Sequence, residues 1–280
     1  MARKHMAVMI MAAVALSSFS LAVAETKKDT ELVIDGSTTV GPVADGFAEA
    51  FMKKHPEVKI TINKTGSGDG AAALIDGRCD IANMSRFLKA KEWKKAIENE
   101  VYPVVHVVAM DGVCPIVHPS NPIEGLSRAQ IKKIYTGEIK NWKALGGADM
   151  AIASISRDSS SGTFGVFNSL IMEKTEMRGD VERVGSNPEM YNRVKDSKGA
   201  IGYVGLGFVD DKVKAIKVDG VKPTAKTVGS GQFPVARPLF MVTNGFPKLG
   251  SLTHQYVTFY LTEEGQEIVN EKGFVPVTQY

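Results

Sequence analysis

Three loops rich in hydroxyls and glycine carry the chemistry of this chain: Gly36-Ser37-Thr38-Thr39, Thr65-Gly66-Ser67-Gly68 and Arg157-Asp158-Ser159-Ser160-Ser161-Gly162-Thr163. Each follows a short strand-like run and opens a helical pattern. Loops of this kind bring hydroxyls and free backbone N–H groups to the positive end of a helix dipole, which suits a small oxyanion without many charges. Arg157 adds a planar fork of donors whose charge does not titrate near neutrality, and Gly162 permits close backbone approach. Taken singly, each serine or threonine could simply cap its helix, and Arg157 could form a surface ion pair. Three such loops in two halves of the chain, with an arginine four residues ahead of Ser161 that capping does not require, imply a cleft around a tetrahedral anion such as phosphate.

The elements that must hold these loops alternate. Leu32-Val33-Ile34 reads as a strand, Thr38 and Thr39 as helix caps, and Val43, Phe47, Ala50 and Phe51 as the apolar face of a helix ending at His55-Pro56. Val58, Ile60 and Ile62 alternate as a half-buried strand, with helix expected over Ala71 to Ile75. A strand around Asp80-Ile81-Ala82 leads to Asn83-Met84-Ser85-Arg86, and a polar helix follows around 89–99. The β-rich run Val101 to Val108 precedes turn signals at Asp111-Gly112 and His118 to Pro122, which places a first crossing between domains near 107–112. Ser127-x-x-Gln130 is a capping box; a strand is expected over Ala151 to Ser156, a helix bearing Phe164, Phe167, Leu170 and Ile171, a helix start at Asn187-Pro188 and a strand at Ile201 to Val204. Arg237 to Val242 reads as a strand returning to the first domain, before helices near 251–261 and 263–272, the latter capped by Thr262. Strands alternating with helices give an α/β class, and in open α/β sheets ligands sit beyond the carboxyl ends of strands.

The N-terminus has basic Arg3 and Lys4, an apolar run from Met6 to about Leu16, and Ala22-Val23-Ala24, the layout of a signal peptide over 1–24 with cleavage before Glu25. The run is shorter than the roughly 20 residues that span a bilayer, and no cysteine lies near the cleavage site to take a lipid anchor. A soluble periplasmic protein is expected, with no membrane anchor. Removing the leader takes away two bases and no acid, leaving 32 basic and 31 acidic of the chain's 34 and 31, a balance that argues against nucleic acid as a partner. The remaining 256 residues suit about two domains. Cys79 and Cys114 could pair in an oxidising compartment or stay as buried thiols.

Gly36-Ser37-Thr38-Thr39-Val40-Gly41-Pro42, Gly66-Ser67-Gly68, Ile134-Tyr135-Thr136-Gly137-Glu138-Ile139-Lys140-Asn141-Trp142 and Arg157-x-x-x-Ser161-Gly162-Thr163 resemble the phosphate-binding proteins of phosphate ABC transporters, from about Leu32 to the C-terminus. The resemblance implies a two-lobed periplasmic-binding-protein (clamshell) fold, with two crossings between lobes and the ligand in the interdomain cleft. Lobe 1 would comprise 25–108 plus 238–280 and lobe 2 109–237. It also implies a monomer that delivers phosphate to a membrane permease and ATPase, and no cofactor. By position, Thr38 and the backbone at Thr39 would bind from the first loop with Ser37 adjacent, Ser67 from the second, and Arg157, Ser161, Gly162 and Thr163 from the other lobe. Where some members place an aspartate after the third strand, accepting the proton of hydrogen phosphate and helping to reject sulfate, this chain has Ser85-Arg86. Ser85 could accept or donate, and Arg86 could add charge. Asp158 could orient Arg157 or be solvated.

Two rivals stand beside this reading. One is the same clamshell selecting sulfate, molybdate or tungstate. The other is an exported serine hydrolase acting on phosphate esters, but no serine shows the G-x-S-x-G pattern, and His55, His106, His118 and His254 each have a packing or surface role to play instead. No metal-ligand spacing and no P-loop occur, so no metal site and no catalytic residue is expected.

Overall fold

The apolar run at Leu32 to Ile34 and the alternating run at Val58 to Ile62 lie side by side and begin a sheet. In this computed structural model, which describes residues 30–278, the first half of the chain runs β1 (Glu31–Gly36), α1 (Gly41–Lys54), β2 (Lys59–Asn63), α2 (Ser67–Ile75), β3 (Ile81–Met84), α3 (Ala90–Glu98) and β4 (Pro103–Val117). There follow β5 (Gly125–Leu126), α4 (Arg128–Thr136), β6 (Ala153–Arg157), α5 (Gly162–Leu170), β7 (Glu182–Val184), α6 (Asn187–Lys195), β8 (Ala200–Gly205), β9 (Lys214–Ala215) and β10 (Lys217–Val218). The chain ends with α7 (Ala225–Gly229), β11 (Ala236–Asn244), α8 (Leu252–Val257) and α9 (Glu263–Glu271). The leader expected over 1–24 lies outside the described residues.

The strand order is β2-β1-β3-β11-β4-β8-β6-β7. β1 is parallel to β2 and β3, and β6 is parallel to β7 and β8. Between these two parallel sets stand β11 and β4, antiparallel to each other and to their outer neighbours. β4 pairs with β11 over 103–112 and with β8 over 113–117, so one long strand belongs to both sets. The turn expected at Asp111-Gly112 therefore does not form. Asp111 stands directly opposite Arg237 in the ladder, and their ion pair supplies the partner that solvent would supply in a turn.

Buried residues from 32–109 and 239–274 form two apolar clusters, one around Phe47 and Tyr256 and one around Leu74 and Phe240. Buried residues from 113–235 form two more, around Phe167 and Tyr203 and around Met190 and Val204. Separate cores on either side of β4 and β11 make the fold two-lobed. Because the strands of each set are parallel, β1, β3 and β6 all deliver their following loops from their carboxyl ends.

Local signals behave as their chemistry requires. Ser127 and Gln130 cap α4 reciprocally, and Thr262 Oγ1 accepts from Gly265 N at the start of α9. The helix expected over 251–261 is instead α8 followed by a 3-10 turn at Phe259–Leu261. Cys79 and Cys114 are both buried and free. Among the described residues no helix is long and apolar enough to cross a membrane, and no group of three or more metal-ligating side chains occurs.

Candidate anion-binding site

The first loop is set by Gly36, whose φ of +129° suits glycine and whose hydrogen faces the Asn83 carbonyl where a Cβ would collide. Ser37 N donates to that carbonyl at 2.8 Å. Ser37 Oγ accepts from Thr39 N at 3.1 Å and Val40 N at 3.4 Å, so Ser37, rather than Thr38 or Thr39, satisfies the backbone ahead of α1. The two threonine hydroxyls are thereby free to face the other lobe. Asn187 Nδ2, in the first turn of α6, donates to Thr38 Oγ1 at 3.0 Å and Thr39 Oγ1 at 2.9 Å. Thr39 Oγ1 also meets Thr163 Oγ1 at 3.0 Å.

The second loop turns at Gly66, with φ +140°, and α2 starts at Ser67, four residues earlier than the expected Ala71. Ser67 Oγ accepts from Ser85 N at 3.0 Å and lies 3.3 Å from Ser85 Oγ. Gly68 N donates across the cleft to Ser160 O at 2.8 Å.

The third loop begins where β6 ends. Tyr203 OH, stacked ring to ring with Phe167 at 3.9 Å, accepts from Arg157 N at 3.0 Å and so anchors the arginine's backbone. Arg157 Nε donates to Val184 O at 3.2 Å, and Nη2 to Gly185 O at 2.6 Å and Thr38 Oγ1 at 3.4 Å. Its Nη1 is buried with no partner among the described residues. Burial pushes the Arg157 pKa down, opposed by Asp158 and Tyr203; guanidinium still stays charged near neutrality. A cation that is 1 % exposed, bonded to carbonyls and a hydroxyl, has one face ready for an anion. Asp158 Oδ1 instead accepts from Ser160 N, Ser160 Oγ and Ser161 N, which folds the loop and does not brace Arg157. Ser161 caps α5, accepting from Phe164 N at 3.1 Å. A Cβ on Gly162 would collide with the Ser67 and Ser85 hydroxyls, so α5 opens directly against α2 and the loop after β3. The first N–H groups of α2 and α5 have no intrahelical acceptor by geometry.

Ser37, Thr38, Thr39, Ser67, Ser85, Arg86, Arg157, Ser161, Gly162 and Thr163 are all buried, and seven of them, Thr38, Thr39, Ser67, Ser85, Arg157, Gly162 and Thr163, bond to or press against one another across this one cleft, while Ser37 and Ser161 bond within their own loops. Arg86 is held mainly by a carboxylate, although its Nε is buried with no partner among the described residues. Its guanidinium makes a two-pronged pair with Glu92, 2.7 Å on each side, and donates to Phe87 O, so its charge is balanced locally. Burial pushes the Glu92 carboxyl up, but the bonds from Arg86 and Lys89 N outweigh it and hold its pKa low.

Three residues of the site were not legible in the sequence. Arg237 Nη2 donates to Thr163 Oγ1 at 3.0 Å and Thr39 Oγ1 at 3.4 Å, and Nη1 to Ser85 O at 3.0 Å, so one guanidinium touches the segments that follow β1, β3 and β6. Asp111 holds it through Nε at 2.9 Å and Nη2 at 2.8 Å. Asn187 is the third. The signal that could have found Arg237 is a lone charge immediately ahead of the apolar run Pro238 to Val242; nothing local marks Asn187 beyond its place at a helix start. The histidines are engaged elsewhere: His55 stacks on Phe51, His106 meets Thr243, His118 meets Ser120, and His254 accepts from Gly250 N.

A PBP superfamily domain matches residues 22–264. The phosphate-binding protein PstS of Bacillus subtilis is 34% identical over 256 residues, covering 91% of this chain and 83% of that protein. A substrate-binding protein from Clostridium perfringens, solved with bound phosphate, superposes with a TM-score of 0.82 at 36% identity, covering 89% of this chain and 100% of that one. An ABC-type phosphate transport receptor from Vibrio cholerae gives a TM-score of 0.71 at 31% identity, covering 87% and 99%.

Proposed function

The chain belongs to the PBP superfamily and, within it, to the family of phosphate-binding proteins, and from that premise we propose that it captures inorganic phosphate and delivers it to an ABC-type phosphate importer. The observation that carries this reading is Arg157, buried and anchored by Tyr203, with Nη1 unpartnered among the described residues and three hydroxyl loops around it. Thr38, Thr39, Ser67, Ser85, Ser161, Gly162 and Thr163 complete the cradle in this proposal, with Ser37 supporting the first loop. In this proposal the chain crosses between the lobes near 108–109 and again near 237–238. Closing them desolvates the anion against hydroxyls and N–H groups. Charge-assisted hydrogen bonds are worth roughly 1.5–3 kcal/mol each, so several outweigh the cost of ordering. The protein is a binder and not an enzyme, acts as a soluble periplasmic monomer after loss of residues 1–24, and presents its closed form to the permease and ATPase.

Calorimetric titration of the mature chain with inorganic phosphate, with sulfate, molybdate and tungstate as competitors, tests this. Saturable phosphate binding without hydrolysis of a model phosphate ester is expected. Tighter binding of a competitor would reassign the ligand, and ester turnover would reassign the class.

A further inference from the structure

Two threonines of the first loop accept hydrogen bonds from a residue of the other lobe, and the direction of those bonds decides what the threonines can offer a ligand. Asn187, the first residue of α6, is fully buried. Its Oδ1 accepts from Gly205 N, at the end of β8, at 3.2 Å. That bond fixes the amide, because turned over its NH2 group would face another N–H, donor against donor. The NH2 group therefore faces the cleft and donates to Thr38 Oγ1 at 3.0 Å and Thr39 Oγ1 at 2.9 Å. Both amide hydrogens are then engaged, and Asn187 has none for an anion.

A hydroxyl has one hydrogen and two lone pairs, so its neighbours fix where the hydrogen goes. Thr38 Oγ1 meets Asn187 Nδ2 and, at 3.4 Å, Arg157 Nη2, neither of which can accept. Among the described residues nothing takes the Thr38 hydrogen, which leaves it for a ligand. Thr39 Oγ1 meets Asn187 Nδ2, Arg237 Nη2 at 3.4 Å and Thr163 Oγ1 at 3.0 Å. The two nitrogens only donate, so the Thr39 hydrogen goes to Thr163. Thr163 Oγ1 then accepts from Thr39 and from Arg237 Nη2 at 3.0 Å, its lone pairs are filled, and its own hydrogen turns outward as well. The serines of the cleft differ: Ser37, Ser67 and Ser161 accept from backbone N–H groups of their own lobe.

We propose that Asn187 is the positioning residue that sets the donor direction of the first loop. From the second lobe it commits Thr38 directly, and Thr163 by way of Thr39 and with the help of Arg237, to donate to the anion. Asn187 bonds to Thr38 and Thr39 only where the lobes meet, so closure turns these hydroxyls from indifferent groups into donors. An oxygen seated against Thr38 or Thr163 then has to be an acceptor.

This inference rests on the phosphate-binding reading, and the test separates the two. Asn187→Asp keeps the shape of the side chain and its bond from Gly205 N, and it offers the threonines an acceptor where they had a donor. Phosphate affinities of the parent, Asn187→Asp, Thr38→Val and the double variant are measured by calorimetry, with phosphorus NMR titration for millimolar binding. Asn187→Asp should cost at least about threefold more affinity in the parent than in the Thr38→Val background, because only a hydroxyl can be turned away from the anion. The added charge repels the anion in both backgrounds alike. A residue that merely braces the lobes gives the opposite sign, since the new carboxylate still holds Thr38 in the parent and has no hydroxyl to hold at that position in Thr38→Val. A smaller difference, or one of that opposite sign, overturns the role of Asn187 while leaving phosphate binding intact. Circular dichroism confirms that each variant is folded. Neutron diffraction from the deuterium-exchanged phosphate complex of the parent decides the matter should a variant prove unstable: the Thr38 deuteron is expected on a phosphate oxygen and those of Asn187 on Thr38 and Thr39, and a Thr38 deuteron directed at Asn187 overturns the proposal. A parent protein that binds no phosphate overturns the functional reading itself and this proposal with it.

Discussion

Replacing Arg237 with alanine probes the joint on which both lobes meet. The change removes two bonds from Asp111 Oδ2 and one each from the Ser85 carbonyl, the Thr163 hydroxyl and the Thr39 hydroxyl. Asp111 is 0% exposed and keeps only backbone donors such as Leu206 N at 2.8 Å. A buried carboxylate stripped of its counter-ion costs roughly 3–5 kcal/mol, and at about 2–4 °C per kcal/mol for a chain of this size the unfolding midpoint falls by roughly 6–20 °C. The loss carries a pH signature. Burial already pushes the Asp111 pKa up and Arg237 pulls it back, so without Arg237 the folded-state value rises further above the unfolded one. A folded state that binds protons more tightly loses stability as pH rises from the unfolded pKa through the folded pKa, at up to about 1.4 kcal/mol per pH unit. Arg237→Ala should therefore be most stable at the acidic end of that window and progressively weaker above it. Adding Asp111→Asn removes the charge, recovers most of the loss and flattens the slope. Urea denaturation followed by circular dichroism across the window measures this. A deficit below about 1 kcal/mol, or one that does not vary with pH, would refute the buried-pair account.

Other perturbations separate the remaining contributions. Arg157→Met should weaken phosphate binding by about tenfold to a hundredfold for each charge-assisted bond lost; unchanged affinity in calorimetry would remove Arg157 from the site. Gly162→Ala places a methyl against the Ser67 and Ser85 hydroxyls, so affinity should drop more than about tenfold through imperfect closure, while an affinity equal to the parent's would show that the lobes do not seat as described. Arg86→Ala should change phosphate affinity less than about threefold, because Glu92 already balances that charge; a tenfold loss would return Arg86 to the anion.

Much of the fold could be read locally because its signals are local. Apolar periodicity marked α1 and β2, the Ser127 and Gln130 pair marked α4, and Ser161 at its helix start marked α5, each a matter of contacts within a few residues. Asp111-Gly112 misled for the complementary reason: a turn-forming dipeptide becomes part of a strand when an arginine 126 residues away lies opposite it. The cap ahead of α1 was misassigned among three adjacent hydroxyls, since composition does not say which one turns toward the backbone and which toward the other lobe.

The sequence by itself determined that three oxyanion-type loops would follow strands and open helices, because strand pattern, glycine and hydroxyl sit within a few residues of one another. Only the tertiary structure decided what those hydroxyls do. Asn187 reaches Thr38 from 149 positions away and Arg237 reaches Thr39 from 198, and such contacts follow from strand order and lobe closure. For Thr38 and Thr39, whether the hydroxyl donates or accepts is settled by the neighbours already occupying its lone pairs, and those neighbours arrive from the opposite lobe.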